Sequence, residues 1–226
     1  MKRKLLLIGF LIVLLGGGVF VFKRSQSEAE LLKPLTNKGV AQTFVNDSGE
    51  SQTFSVNESG YYDINTVSGD NDFLVPGLPL VGFTLLGQYF MKGQEFSFNS
   101  NAVVELKPAE FSSVKTSDEQ FELLHNGSYF SDIQIPEGEY EVVYQGEFIQ
   151  EGLKTQKPGP ATIDVTSLRV ETDKSTVSEF SASSSVTSYE FNAEKLSQTI
   201  KIMKNQEIKI KKGRSEDAKF IFTKLP

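Results

Sequence analysis

Two stretches of this chain carry the same residues in the same order. Met91-Lys92-Gly93-Gln94-Glu95-Phe96 returns as Met203-Lys204-Asn205-Gln206-Glu207-Ile208, and each copy leads through a polar turn to an apolar strand ending in Lys107-Pro108 or Lys224-Leu225-Pro226. Upstream, Gly60-Tyr61-Tyr62-Asp63-Ile64 aligns with Gly138-Glu139-Tyr140-Glu141-Val142. A chain that repeats itself at this scale is constrained to two related units, each built by the same local rules. Gly60 lies 31 positions before Met91 and Gly138 lies 65 before Met203, so the second unit holds an insertion.

The period of the apolar residues sets the fold class. Gln52-Thr53-Phe54-Ser55-Val56, Glu95-Phe96-Ser97-Phe98 and Glu139-Tyr140-Glu141-Val142 alternate at two, the period of half-buried strands. Turn chemistry separates them at short intervals, as in Asn46-Asp47-Ser48-Gly49, Lys92-Gly93, Asn126-Gly127 and Pro136-Glu137-Gly138. The expectation is an all-β protein with two tandem antiparallel β-sandwich, jelly-roll-like modules. With no cysteine and no tryptophan, the cores must be closed by 18 Phe and 7 Tyr rather than by disulfides.

Leu5 to Phe22 is an unbroken apolar run, flanked by Lys2, Arg3 and Lys4 before and by Lys23 and Arg24 after. At about 1.5 Å per residue it spans roughly 27 Å, enough for a bilayer core. The heavier cation cluster precedes it, which predicts a cytoplasmic N-terminus and an extracellular remainder. Cleavage as a secretory signal is the rival, giving a secreted protein. The expected layout is a cytoplasmic stub at 1–4, a transmembrane helix at 5–22 acting as signal-anchor, a stalk at 23–39, module one at 40–108, a connection at 109–118 and module two at 119–226. A Ser/Thr-rich insertion at 147–190 is read as added strands. Removing the five cations of residues 1–24, which hold no acid, takes the formal charge from −6 to −11. Such a surface repels phosphates, so nucleic acid is not an expected partner.

Within Ile133-Gln134-Ile135-Pro136-Glu137-Gly138-Glu139-Tyr140-Glu141-Val142 the pattern predicts a strand, a tight turn and a second strand with Tyr140 and Val142 inward. Here residues 127–226 resemble small envelope proteins of Gram-positive bacteria, lipid-anchored or secreted, with an I-P-x-G-x-Y-x-V strand pair and a closing K-x-G-Q-x-I-x-I hairpin. The matching residues are Ile135, Pro136, Gly138, Tyr140 and Val142, then Lys204, Gln206, Ile208 and Ile210, with Asn205 where Gly is usual. Module one has Val56-Asn57 in place of Ile135-Pro136. The resemblance implies surface display on a β-sandwich and no particular reaction.

Catalytic chemistry finds little to build on. His125 is the only histidine, placed by the pattern at a strand end before an Asn-Gly turn, and no nucleophile-elbow sequence accompanies it. Zinc would need several His or Cys ligands. Glu137, Glu139 and Glu141 could serve a cell-surface hydrolase acting on cell-wall glycan, but acids alternating with apolar residues are usually solvated. Ser68-Gly69-Asp70-Asn71-Asp72 offers oxygens to a hard cation yet reads better as a plain turn. No catalytic residue, cofactor or metal is therefore expected. The apolar stretch 76–86 supplies a candidate contact surface, Leu78, Leu80, Val81 and Phe83, for another envelope protein or for the second module. The expected function is a membrane-anchored extracellular binding or scaffolding protein of the bacterial cell envelope, non-catalytic, with the bilayer as partner of residues 5–22.

Overall fold

The computed structural model describes residues 37–69, 78–98, 101–147, 161–167, 185–212 and 217–226. The predicted membrane helix at 5–22, most of the stalk and the Asp70–Asp72 turn lie outside them. No helix among the described residues is long and apolar enough to cross a membrane. The strands are β1 (Gln42–Asn46), β2 (Gln52–Ser55), β3 (Gly60–Gly69), β4 (Thr84–Phe90), β5 (Glu95–Phe98), β6 (Ala102–Pro108), β7 (Gln120–Leu123), β8 (Asn126–Phe130), β9 (Gly138–Gln145), β10 (Ala161–Ser167), β11 (Val186–Phe191), β12 (Ser197–Ile202), β13 (Gln206–Lys211) and β14 (Lys219–Lys224). The described body is all-β and sandwich-like.

Its sheets carry the order β1-β6-β3-β4-β8-β13-β10-β11, β12-β9-β14-β7 and β2-β5. The second half thereby repeats the pairing of the first. β1-β6-β3-β4 corresponds to β7-β14-β9-β12, and β2-β5 corresponds to β8-β13. β10 and β11 have no counterpart among the described residues of the first half and extend the edge of β13, while residues 148–160 and 168–184 of the Ser/Thr-rich insertion lie outside the described residues. Between the named strands every pairing is antiparallel except β4 with β8, which joins the halves into one eight-stranded sheet.

Alternation fills two cores. In the second half, Tyr129, Ile163, Phe191, Ile208 and Ile210 from one sheet face Phe121, Tyr140, Val142, Ile200, Phe220 and Phe222 from the other. Phe121 and Phe222 stack at 4.8 Å, and Phe220 meets Tyr144 and Phe191 at 5.0 Å each. The first half packs Phe44, Tyr62, Ile64, Phe98, Val104 and Leu106, with Phe54 and Phe96 partly buried against them. Phenyl rings do the filling that disulfides do in many small exported folds.

The repeated residues take repeated conformations. Gly93 and Asn205 both have positive φ, 78° and 55°. The backbone N–H groups of Met91 and Met203 donate to the side-chain oxygens of Gln94 and Gln206 at 3.1 and 2.7 Å. Asn205 can replace Gly because Asn tolerates the left-handed region better than other residues. Tyr62 and Tyr140 each donate their hydroxyl to the carbonyl four residues upstream, Glu58 at 2.7 Å and Pro136 at 2.8 Å. Tyr62 Oη additionally accepts from Val40 N and Gln42 Nε2. Tyr62→Phe is therefore expected to cost about 2 kcal/mol and Tyr140→Phe about 1 kcal/mol. Urea midpoints measure both, and a larger loss at Tyr140 would contradict the assignment.

Two expectations change. Ile133-Gln134-Ile135 is not a strand. Residues 131–135 form a tight loop, because Gln134 N donates to Phe130 O at 2.9 Å, Ile135 N to Phe130 O at 3.1 Å, and Phe130 N to Gln134 Oε1 at 3.1 Å. Asn126-Gly127 is not a turn but the start of β8, its extended conformation held by pairing to β4. The two closing strands do end at the Lys-Pro residues: Pro108 stands opposite Tyr62, and Lys224 stands opposite Tyr140 with Pro226 two residues beyond.

Candidate functional site

Among the described residues, most of the ionisable groups with shifted pKa lie at the seam between the halves. The seam begins with an irregularity in β4. Tyr62 pairs with Gln88 and Ile64 with Leu85, so Asp63 faces two residues, Leu86 and Gly87, across a bulge. Gly87 has φ 61°, and its N–H donates to Asp63 Oδ1 at 2.9 Å. The bulge turns this edge toward β8, where Leu85 pairs with Asn126 and Leu86 with Gly127. Contact is intimate. A Cβ on Gly127 would lie 2.3 Å from Leu86 O, and one on Gly87 would lie 2.6 Å from Ser128 O.

The joint belongs to these two strands. Tyr129 pairs with Ile208 as Phe54 pairs with Phe96, so the first-half equivalent of Gly127 is Gln52. β12, the equivalent of β4, pairs with β9 without a bulge and carries Thr199 at the corresponding place. Neither outer edge offers the glycines that let β4 and β8 approach.

Aromatic packing closes the seam. Tyr61, Ala109 and Phe130 are buried together, with Tyr89, Phe111 and Ile133 partly buried against them. Tyr61 meets Tyr89 at 5.1 Å and both Phe111 and Phe130 at 5.4 Å, all edge-on. Phe111 comes from the connection, which crosses the seam as Val114 N donates to Gln134 O at 2.9 Å. Ser128 Oγ donates to Glu207 Oε1 beside this cluster. Burial, and then the charge of Glu207, push the Tyr61 hydroxyl well above the ordinary tyrosine range, so it stays protonated.

His125 adjoins the β4–β8 pair. Burial and then the Lys212 ammonium hold its pKa below the ordinary 6.5, while Asp63 pulls the other way. Burial raises the Asp63 carboxyl, against the Gly87 N–H and His125, which lower it; Glu110 adds to the rise. Tyr129 donates its hydroxyl to His125 O at 3.1 Å. The signs of the two shifts oppose each other. The His125 contribution is complete above pH 6.5 and is lost as pH falls through its lower folded value. The Asp63 contribution is present below its ordinary 3.8 and is lost as pH rises through its higher folded value. In His125→Gln the fall of the urea midpoint between about pH 7 and pH 5 should be shallower than in the parent chain. An unchanged slope would remove His125 from the pH response.

The sequence-derived candidates lie elsewhere. Glu139 and Glu141 are exposed on the outer face of β9, opposite Lys201 and Thr199, and Glu137 is exposed 3.8 Å from Lys204. Leu78 packs against the first core, Leu80 and Phe83 are half-buried around a turn, and Val81 is 38% exposed beside Thr66. Val45, Val67 and Val81 are exposed around half-buried Val103 at the far end of β3. Among the described residues no group of three or more His, Cys, Asp or Glu side chains could hold a metal ion.

Residues outside the predicted sites matter most. Asn37, placed by the sequence in the stalk, is bound into the body: its Oδ1 accepts from Tyr61 N at 2.9 Å, and its Nδ2 donates to Tyr61 O at 2.8 Å and Ala109 O at 3.1 Å. Gly87 inside the apolar strand β4 is the local sign of a bulge. Comparison with protein-family models, with curated proteins and with solved structures finds no match for this chain.

Proposed function

We propose that this chain is a membrane-anchored extracellular binding or scaffolding protein of a bacterial cell envelope, non-catalytic, displaying two tandem jelly-roll-like sandwiches as one unit. The observation that carries the reading is the seam. A shared eight-stranded sheet and a buried aromatic cluster lock the halves together, and the ionisable groups near them serve that joint. Asp63 caps a bulge, Glu207 takes a serine hydroxyl, and His125 offers its carbonyl to Tyr129. A surface of loops on a firm frame suits binding better than bond-making.

Strand order supports the jelly-roll reading. Counted within the second half, its two sheets run 1-8-3-6 and 2-7-4-5, the order of an eight-stranded jelly roll. The first half keeps that plan with six strands. Placement outside the cell rests on the apolar run Leu5–Phe22 and its flanking cations. Fractionation of producing cells with N-terminal sequencing tests it. The expected product retains Leu5–Phe22, stays in carbonate-washed membranes and is cut by protease added to intact cells. A mature chain in the medium beginning after Arg24 would replace the anchor with secretion.

A further inference from the structure

The two copies of the Met-Lys turn lie at one end of the described body, the end at which Asn37, the first described residue, is bound. Asn37 is bonded to the backbone of Tyr61, and Gly60 pairs with Phe90, so Met91 follows directly beside it. Lys92 N donates to Ser59 Oγ at 2.8 Å. The second turn is tied to the segment just after β8: Ser131 N donates to Gln206 O at 2.9 Å and Asn205 N to Asp132 Oδ2 at 3.3 Å. Phe130, which ends β8, touches Tyr61. The turns therefore flank the point where Asn37 enters the body.

Both turns present the same pair of side chains to solvent. Met91 and Met203 are each 50% exposed, and the Lys92 and Lys204 side chains are each 65% exposed. Turn geometry does not require them, since the glutamine side chains and the left-handed Gly93 and Asn205 close the loops. Residues 23–36 separate the apolar run from Asn37, a span of roughly 20 Å as helix or roughly 45 Å extended. A tether of that length keeps this end near the headgroups at millimolar effective concentration, where a small contact suffices.

We propose that the Met91-Lys92 and Met203-Lys204 turns rest on the outer surface of the phospholipid bilayer, the methionines at the headgroup boundary and the lysines reaching along it. This rests on the anchored reading given above. Glu58 lies 2.8 Å from Lys92 and Glu137 lies 3.8 Å from Lys204, so neither turn carries a free excess of positive charge. The contact is therefore apolar and tether-assisted, which reconciles it with an exported body of net charge −11, the chain's −6 less the five cations of residues 1–24.

The chain has no cysteine, so single labels are unambiguous. Met91→Cys, Met203→Cys and, as a control, Val67→Cys would carry an apolar environment-sensitive fluorophore in the full chain reconstituted into liposomes containing a nitroxide-bearing lipid. Val67 is 52% exposed but lies about 20 Å along β3 from Tyr61. The expected result is at least about threefold more quenching at the two turns than at position 67. The unlabelled chain gives a second readout, slower peroxide oxidation of Met91 and Met203 on liposomes than in a chain released from them by protease. Equal quenching and equal oxidation in a chain that stays with the liposomes would overturn the contact alone. A chain that washes off in carbonate would overturn the anchor and the contact with it.

Discussion

Gly127→Ala is expected to lower the unfolding free energy by about 3 kcal/mol, more than a single methyl group costs at most surface positions. The added Cβ would stand 2.3 Å from Leu86 O, 2.5 Å from Leu86 N and 2.7 Å from Leu86 Cα. All three are backbone atoms of β4, so relief requires β4 and β8 to separate rather than a side chain to turn. The positive φ of Gly127, 135°, adds strain that alanine cannot avoid. Gly93→Ala shows what a positive φ costs without a contact, in the milder left-handed region, because Gly93 has φ 78° and nothing within 4 Å of its Cβ position. Its expected cost is about 1 kcal/mol. Urea denaturation of both variants gives the comparison. Equal losses would mean that the seam yields easily and is not what holds the halves together.

Phe130→Ala should cost about 3–5 kcal/mol and should also change the shape of the unfolding curve. Phe130 is 2% exposed and meets Tyr61 and Phe111 at 5.4 Å each. Its removal empties the centre of a cluster that takes rings from both halves and from the connection. Each half keeps its own core. The parent chain should thus melt in one transition and Phe130→Ala in two, read by calorimetry. A double-mutant cycle with Tyr61→Leu should show coupling of about 1 kcal/mol. A single cooperative transition in Phe130→Ala would mean that the shared sheet alone couples the halves.

The local order was open to inspection in the residues. Alternation at two predicted strands, and Met91–Gln94 matched Met203–Gln206 because a turn closed by its own glutamine is decided within four residues. Tyr140 was expected to point inward and does. Other residues misled because their neighbours are remote. Asn126-Gly127 carries the chemistry of a turn, yet pairing to Leu85 and Leu86, some forty residues earlier, makes it a strand. Ile133 to Ile135 alternates like a strand, but Gln134 folds back on Phe130. Asn37 resembles any polar stalk residue until Tyr61 and Ala109 are brought to it.

Composition, alternation and the doubled turn were sufficient to specify the all-β described body closed by phenyl rings, because backbone pairing preferences and turn geometry are properties of short segments. The union of its halves was settled only by folding. Asp63, Gly87, His125, Gly127 and Phe130 share no spacing or motif, and their meeting depends on a bulge aiming one sheet edge at another. Close approach between distant backbones is a property of the packed chain, and no window of sequence contains both sides of it.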